Sequence, residues 1–411
     1  MHHLRFAVLS ISLISMTTVF FCETGRADET SLLWTAETYL KKGMPIHINI
    51  AKSGEGPQQL IEAETGTVIP LQKQGDQWIG LLPSDVKKEE TLDFQLSPVT
   101  ETDAPDNAVQ CSERDGRVVI TNRGREVLHY RAATVEPPEG EKGVYRRSGY
   151  IHPLFAPYGK EITGDFAQDH PHQHGIMFAW TNASFQGRKV DFWNQAAGLG
   201  RIEHREIVKM TSGPVFAELV VKIAHVDLTS GKPIDVLNEQ WTIRVYDAGE
   251  TDEFKLFSYI IDFESVQEAA TEEPLKILEY HYGGFAIRGN EAWLGREPDL
   301  FLTSSGKNRE NGNHSRPEWC RMAGQLNLSS ASVLIAPHKD NFRAPAPVRL
   351  HPAKPYFCFA PLVLGDFEIS KEQPLRSRYR IVSSMLPQEP GIAEMFTQNF
   401  SNPVELGKTE E

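Results

Sequence analysis

The segment Asp169-His170-Pro171-His172-Gln173-His174-Gly175 places three histidines at alternate positions. On an extended backbone residues i, i+2 and i+4 share one face, so three imidazoles would converge on one patch. Such a patch suits general acid–base chemistry, because the ordinary imidazole pKa of about 6.5 lies near neutral pH. It also suits zinc, copper or iron. The bland alternative is that one or two rings are satisfied by backbone carbonyls and only shape a loop. His170, His172, His174 and Asp191 are the catalytic candidates, with Asp169 or Glu291 as further carboxylate partners. The same three histidines would be the ligands of any metal. A divalent ion is open but not required, and no cofactor is specified.

Further polar groups come in aromatic company. Asp191-Phe192-Trp193-Asn194-Gln195 sets a carboxylate and two amides beside two large rings. A sugar site needs such groups, for stacking on C–H faces and for paired hydrogen bonds to hydroxyls. His152, Trp193, Asn194, Arg288, His338, Asn341 and Arg343 are the ligand-binding candidates. The competing reading leaves Phe192 and Trp193 in the core and both arginines solvated. Gly283-Gly284 is no phosphate loop, since no helical pattern follows; it reads as a bulge or a close backbone approach to a ligand. G-x-S-x-G, H-E-x-x-H, Walker and C-x-x-C patterns are missing from the sequence, which removes the commonest hydrolase, zincin, nucleotide and redox readings.

The elements that must position these residues read as strands. Ala217, Leu219, Val221 and Ile223 alternate with polar residues, as do Trp241, Ile243 and Val245, then Phe257, Tyr259, Ile261 and Phe263. Val118–Thr121 and Val127–Tyr130 flank Asn122-Arg123-Gly124, a hairpin signal. The chain is therefore expected to be all-β, a large antiparallel β-sandwich preceded by a small one. The expected layout is a leader at 1–27, a small sandwich at 28–100 and an acidic linker at 101–107, then a large sandwich at 108–390 and a frayed tail at 391–411.

Met1–Arg5 is basic, Phe6–Phe21 apolar, and Gly25 and Ala27 offer small residues before Asp28. That is the layout of a secretory signal peptide. Its apolar run reaches about 24 Å, short of the ~30 Å a membrane span needs. Export to the periplasm or beyond is expected, without a lipid anchor at Cys22, where Phe20 and Phe21 are too bulky. No later stretch has transmembrane length, so no integral membrane association is expected. Net charge is 42 − 55 = −13, which argues against nucleic acid as a partner. A small molecule or oligosaccharide is the expected ligand. Cys111, Cys320 and Cys358 allow at most one disulfide in the mature chain.

Four segments recur together in this order: Tyr150-Ile151-His152-Pro153-Leu154, Asp169–Gly175, Asp191-Phe192-Trp193-Asn194 and Tyr282-Gly283-Gly284-Phe285-Ala286-Ile287-Arg288. Over roughly residues 140–385 the chain resembles a PmoA-like family of uncharacterised exported bacterial proteins, "methane oxygenase" by label. The resemblance implies a context in carbohydrate catabolism and a domain similar to the galactose-mutarotase-like supersandwich. Members of that superfold carry catalytic histidines and a carboxylate in a cleft on one sheet; no role transfers residue by residue. Two readings follow. One is a carbohydrate-active epimerase, hydrolase or lyase with a histidine of the 170–174 cluster as acid or base. The other is a non-catalytic sugar- or metal-binding sandwich.

Overall fold

Alternating apolar residues become strands here because each sheet buries one face. The computed structural model describes residues 30–49, 56, 58–99, 106–247, 249, 258–295 and 297–407. The leader and linker residues 101–105 lie outside the described residues. The described residues are all-β apart from one α-helix, Pro390–Ser401, and short 3-10 turns.

Two large antiparallel sheets face each other. One runs in the order Val348–Leu350, Tyr356–Phe359, Gly284–Arg288, Ile176–Ala179, Tyr150–Ala156, Arg125–Arg131, Arg117–Asn122, Val109–Arg114, with Lys160–Glu161 paired beside Tyr150–Ala156. The other runs Gly200–Thr211, Phe216–Asp227, Ile234–Tyr246, Ser258–Ala269, Leu375–Ser384, Ser329–Pro337, Cys320–Leu326, Phe301–Thr303. Their inner faces form one core, in which Phe285 of the first sheet stacks on Tyr379 of the second at 4.0 Å between centroids. Phe263 packs on Phe285 at 4.8 Å. Trp241, Ile243 and Val245 face this core as their alternation demands.

The N-terminal unit packs on the outer face of the second large sheet. Its own sheets are Thr30–Thr35, Thr91–Pro98, Gln58–Glu62, Val68–Pro70 and Val404–Leu406, Pro45–Ile48, Gln77–Leu81, Gln72–Gln74. The expected fraying of the tail does not hold for residues 391–407. The helix packs Ala393, Met395 and Phe396 into the N-terminal unit's core, and Val404–Leu406 pairs in parallel with Pro45–Ile48. Sequence periodicity cannot reveal a partner more than 350 residues away.

Gly284 lies at φ +100, and a Cβ there would sit 2.4 Å from the Phe359 carbonyl oxygen. The close approach read from Gly283-Gly284 is thus to the neighbouring strand, not to a ligand. If the tail anchors the N-terminal unit, Phe396→Ala should cost about 3 kcal/mol, as expected for an emptied core position. Urea denaturation followed by tryptophan fluorescence measures this, and a change under about 0.5 kcal/mol, the size of an ordinary surface substitution, would refute the anchoring role.

Candidate active site

A short hairpin carries the histidines. Asp165–Ala167 pairs with His170–His174, Asp165 opposite His174 and Ala167 opposite His170. Pro171, which cannot donate to a ladder, sits in a strand paired on one side only. Gly175 ends the hairpin at φ +30, where a Cβ would lie 2.0 Å from the Ile151 carbonyl oxygen. Only glycine lets the chain pass there into the buried strand Ile176–Ala179.

The three imidazoles run from rim to core. His174 is fully buried, with Nδ1 2.7 Å from Asp165 Oδ1 and Nε2 3.1 Å from Gln195 Oε1. Asp165 Oδ2 accepts from the Tyr150 hydroxyl at 2.8 Å, and Gln195 Nε2 donates to the Arg146 carbonyl at 3.1 Å. Burial alone would raise the Asp165 carboxyl. The hydrogen bond from His174, its charge and that of His152, and the Tyr150 hydroxyl together hold it below the usual carboxylate range. Every polar atom of His174 is engaged, so it fixes the hairpin and is closed to a ligand. The expectation of a catalytic or metal-binding His174 fails for that reason.

His172 is different. It is half-buried, its ring lies 5.5 Å from that of His170, and neither nitrogen has a hydrogen-bond partner among the described residues. Burial, then the neighbouring His170, His174, Arg147 and Arg288, lowers its pKa to about 4. Arg147 is 1% exposed, and none of its guanidinium nitrogens has a hydrogen-bond partner in the structure. Burial lowers its pKa to about 10, so it stays cationic at neutral pH.

Around the rim the charges interlock. Asp169 receives Arg288 Nη2 at 3.1 Å, His170 Nδ1 at 3.1 Å and the Lys354 ammonium. Burial works against ionisation here, but Lys354, Arg288 and His170 hold the Asp169 carboxyl well below the usual range. Arg288, 1% exposed, also donates to Gln173 Oε1 and Glu291 Oε1, each at 2.8 Å. His351 packs on His170 at 5.7 Å, and its Nδ1 accepts from the Ala353 and Lys354 amides at 3.1 Å each. Its proton therefore sits on Nε2. An arc of rings continues from His351 to Tyr356 at 6.2 Å, Trp193 at 5.7 Å and Tyr282 at 5.5 Å. His152, on the strand Tyr150–Ala156, has Nδ1 3.0 Å from Thr163 Oγ1 and Nε2 3.8 Å from Glu161 Oε1. Burial lowers its pKa to about 4.

The structure thus gathers His152, His170, His172, His174 and Arg288, with Trp193 reached through the arc. Asp191 is instead a loop former: Oδ1 accepts the Trp193 and Asn194 amides at 2.9 and 2.7 Å, and Oδ2 accepts from Thr181 and Asn194 side chains. Asn194 is saturated by Asp191, Thr181 and the Tyr282 hydroxyl. His338 lies elsewhere, on the outer side of the second large sheet, against Phe400 and Arg378. Asn341 bonds the Arg378 backbone in both directions, and Arg343 donates to the carbonyls of Pro361, Gly365 and Asp366. These three candidates do not share the histidine site, because lying near Pro or Gly says nothing about which face a loop turns to.

Asp165, Arg147, His351 and Lys354 escaped sequence reasoning, and Gln195, noted there as an amide beside the rings, turns out to serve His174 instead. The His-Pro step at 351, like that at 152, is the one signal that pointed there. No group of three or more His, Cys, Asp or Glu side chains able to hold a metal occurs among the described residues. Cys111, Cys320 and Cys358 are all free thiols, so no disulfide forms among them.

Two outcomes follow from this division of roles. His174→Ala should cost about 1–3 kcal/mol by orphaning Asp165 and Gln195, whereas His172→Ala should leave the melting temperature within about a degree; equal losses in thermal denaturation would overturn the assignment. The pH response has a fixed sign. His152, His172, His338 and His351 have folded pKa values near 4, below the ordinary 6.5. Between those values the unfolded chain binds protons that the folded chain refuses, so stability falls as pH falls through this window. Melting temperatures recorded from pH 7 to pH 4.5 should decline, and a flat profile would show that these rings are not held neutral.

Comparison with known proteins places the chain without assigning it a role. No curated protein matches it. A family model described as "Family of unknown function (DUF6807)" matches residues 117–389, from the strand Arg117–Asn122, second from the edge of the first large sheet, through the end of both sheets. That match covers more than half of the chain, which therefore belongs to the DUF6807 family.

Proposed function

We propose that the protein is a carbohydrate-active enzyme of epimerase, hydrolase or lyase type in which His172 is the general acid or base. The observation that carries this reading is the half-buried His172 ring with both nitrogens unpartnered, at the lip of a network in which His174, Asp165, Asp169 and Arg288 are engaged. A neutral imidazole can take a proton from a bound hydroxyl or an activated C–H and return it. Surroundings that disfavour its protonated form make that form a ready proton donor. Burial supplies this bias first, followed by the neighbouring His170, His174, Arg147 and Arg288. Tyr282, half-buried, and the exposed His281 beside it at 4.7 Å offer ring faces for a sugar's C–H groups. The sandwich of two large sheets and the resemblance to exported proteins of carbohydrate catabolism support the same reading.

The test is turnover of a panel of keto-sugars and uronides, followed by polarimetry and by exchange of substrate protons with deuterated water. Wild type should convert or exchange at least one of them. His172→Ala should lose at least 100-fold in kcat, in line with removal of a general acid or base, with an unchanged melting temperature. Binding of a sugar without turnover or exchange by wild type would replace the enzyme with a non-catalytic binding protein.

A further inference from the structure

The outer face of the second large sheet carries a second polar site. Glu218, Arg244, Asp262 and Arg380 stand directly opposite one another on four neighbouring strands, forming a row of alternating charge. Arg380 pairs with Asp262 through Nε at 2.7 Å and Nη2 at 2.9 Å, and its Nη1 donates to Asn399 Oδ1 at 2.7 Å. Arg244 pairs with Glu218. Beside this row, Arg376 Nη2 donates to Glu264 at 2.7 Å, and Arg378 Nη2 donates to His338 Nδ1 at 2.9 Å and to Asp340 at 3.2 Å.

Above these groups a cavity of about 530 Å³ is roofed by Pro45, His47 and Gln77 of the N-terminal unit, by Phe400 of the helix and by Pro403 just after it. That volume lies within the range of small-molecule sites, which favour domain interfaces. Elsewhere the same interface is apolar, with Val215, Phe216, Ile260, Leu334 and Val382 in the N-terminal unit's core. Charges in such a place cost desolvation that hydrophobic packing would avoid.

The free hydrogen-bonding capacity is mostly donor. Arg376 and Arg378 each engage only one nitrogen, and the Arg244 Nε is buried without a partner. Both Asp262 oxygens are already taken, by Arg380 and the Tyr246 hydroxyl. Burial lowers the pKa of His47 and His338, so neither adds a cation and the positive charge available to a ligand is that of the arginines.

From this geometry we infer that the cavity binds a small molecule bearing a single oxyanion, a carboxylate or a phosphate, which Arg376 and Arg378 grip from the sheet. Guanidinium forks match either group in bidentate fashion. This site is independent of the histidine hairpin, since the sandwich core lies between them.

Isothermal titration of the full chain with glucuronate, glucose 6-phosphate, inorganic phosphate and glucose tests it. Glucuronate alone binding would identify a carboxylate ligand; either phosphate alone, a phosphate ligand; and all three anions, a general oxyanion site. Each of these results supports the site if glucose does not bind. Arg376→Gln, at a position whose side chain is 62% exposed and so safe for folding, should weaken binding at least tenfold, and Arg378→Gln likewise. Glu264→Gln should strengthen it by removing a competing anion. His172→Ala should leave it unchanged. Absence of any anion binding at millimolar concentration, or binding that survives Arg376→Gln and Arg378→Gln but is lost in His172→Ala, would overturn the inference.

Discussion

Asp165 is a carboxylate at the end of a sandwich core, and its oxygens must be matched because water cannot reach them freely. His174 and Tyr150 meet that requirement from two different strands, and Gln195 completes it by closing the far side of His174 on the backbone at Arg146. The bond between Asp165 and His174 therefore does more than pair two side chains. It closes a two-stranded hairpin, which has little burial of its own, and the Tyr150 hydroxyl on the same carboxylate ties that hairpin to the large sheet. With His174 locked, strand alternation dictates where His172 and His170 go. The rim network of Asp169, Arg288, Glu291 and Lys354 then fixes the other side of the hairpin, since Asp169 and Gln173 project to the face opposite the histidines.

The chain uses a similar solution deeper in the core without making a site. Glu239 is fully buried, and its Oε1 accepts from Trp241, Ser265 and Gln267 while Oε2 meets His225 Nε2 at 2.8 Å. Burial alone would raise this carboxyl, yet His225, Ser265 and Gln267 keep it below the usual range. A histidine and a carboxylate at bonding distance are thus not by themselves evidence of catalysis. What separates His172 from His174 and His225 is unfilled bonding capacity combined with access to the surface. The relevant comparison among histidines is which unmatched polar atoms can reach the surface, since the Nδ1 of His225 is also unpartnered but fully buried.

Much of the architecture was legible because it is local. The strand Phe216–Asp227 follows from alternation at 217–223, and the pairing of Arg117–Asn122 with Arg125–Arg131 follows from the two-residue turn Arg123-Gly124. The small unit's strands at Pro45–Ile48, Gln58–Glu62, Gln77–Leu81 and Thr91–Pro98 fall within the stretch 28–100 expected to form the small sandwich. What escaped is set by distant partners. Neither the helix Pro390–Ser401 nor the strand Val404–Leu406 makes sense until the N-terminal unit is present to cover them. The same limit applies to the site. Alternation at 170–174 announces a row of imidazoles, but whether each is open depends on Asp165, Gln195 and Arg147, which no spacing rule connects to them. Asp191 and Asn194 looked like sugar-binding groups by type, and the fold uses their bonding capacity to build a turn under Trp193.

The two polar regions stand on opposite sides of one apolar core. The histidine hairpin hangs on the first large sheet, whereas the arginine row lies on the outer face of the second. Coulomb interactions across that distance are weakened by screening at the exposed ends, and the core between them is well packed and poorly deformable. Effects at sites separated in this way and sharing no partners add. The separation has a structural cause: an antiparallel strand sends alternate residues to opposite faces, so Tyr379 and Ile381 fill the core while Arg378 and Arg380 line the interface. A one-residue slip of Leu375–Ser384 would bury two guanidinium groups in the sandwich and expose two core residues to the cavity. The register of that one strand consequently secures both the core behind the histidines and the charge of the second face.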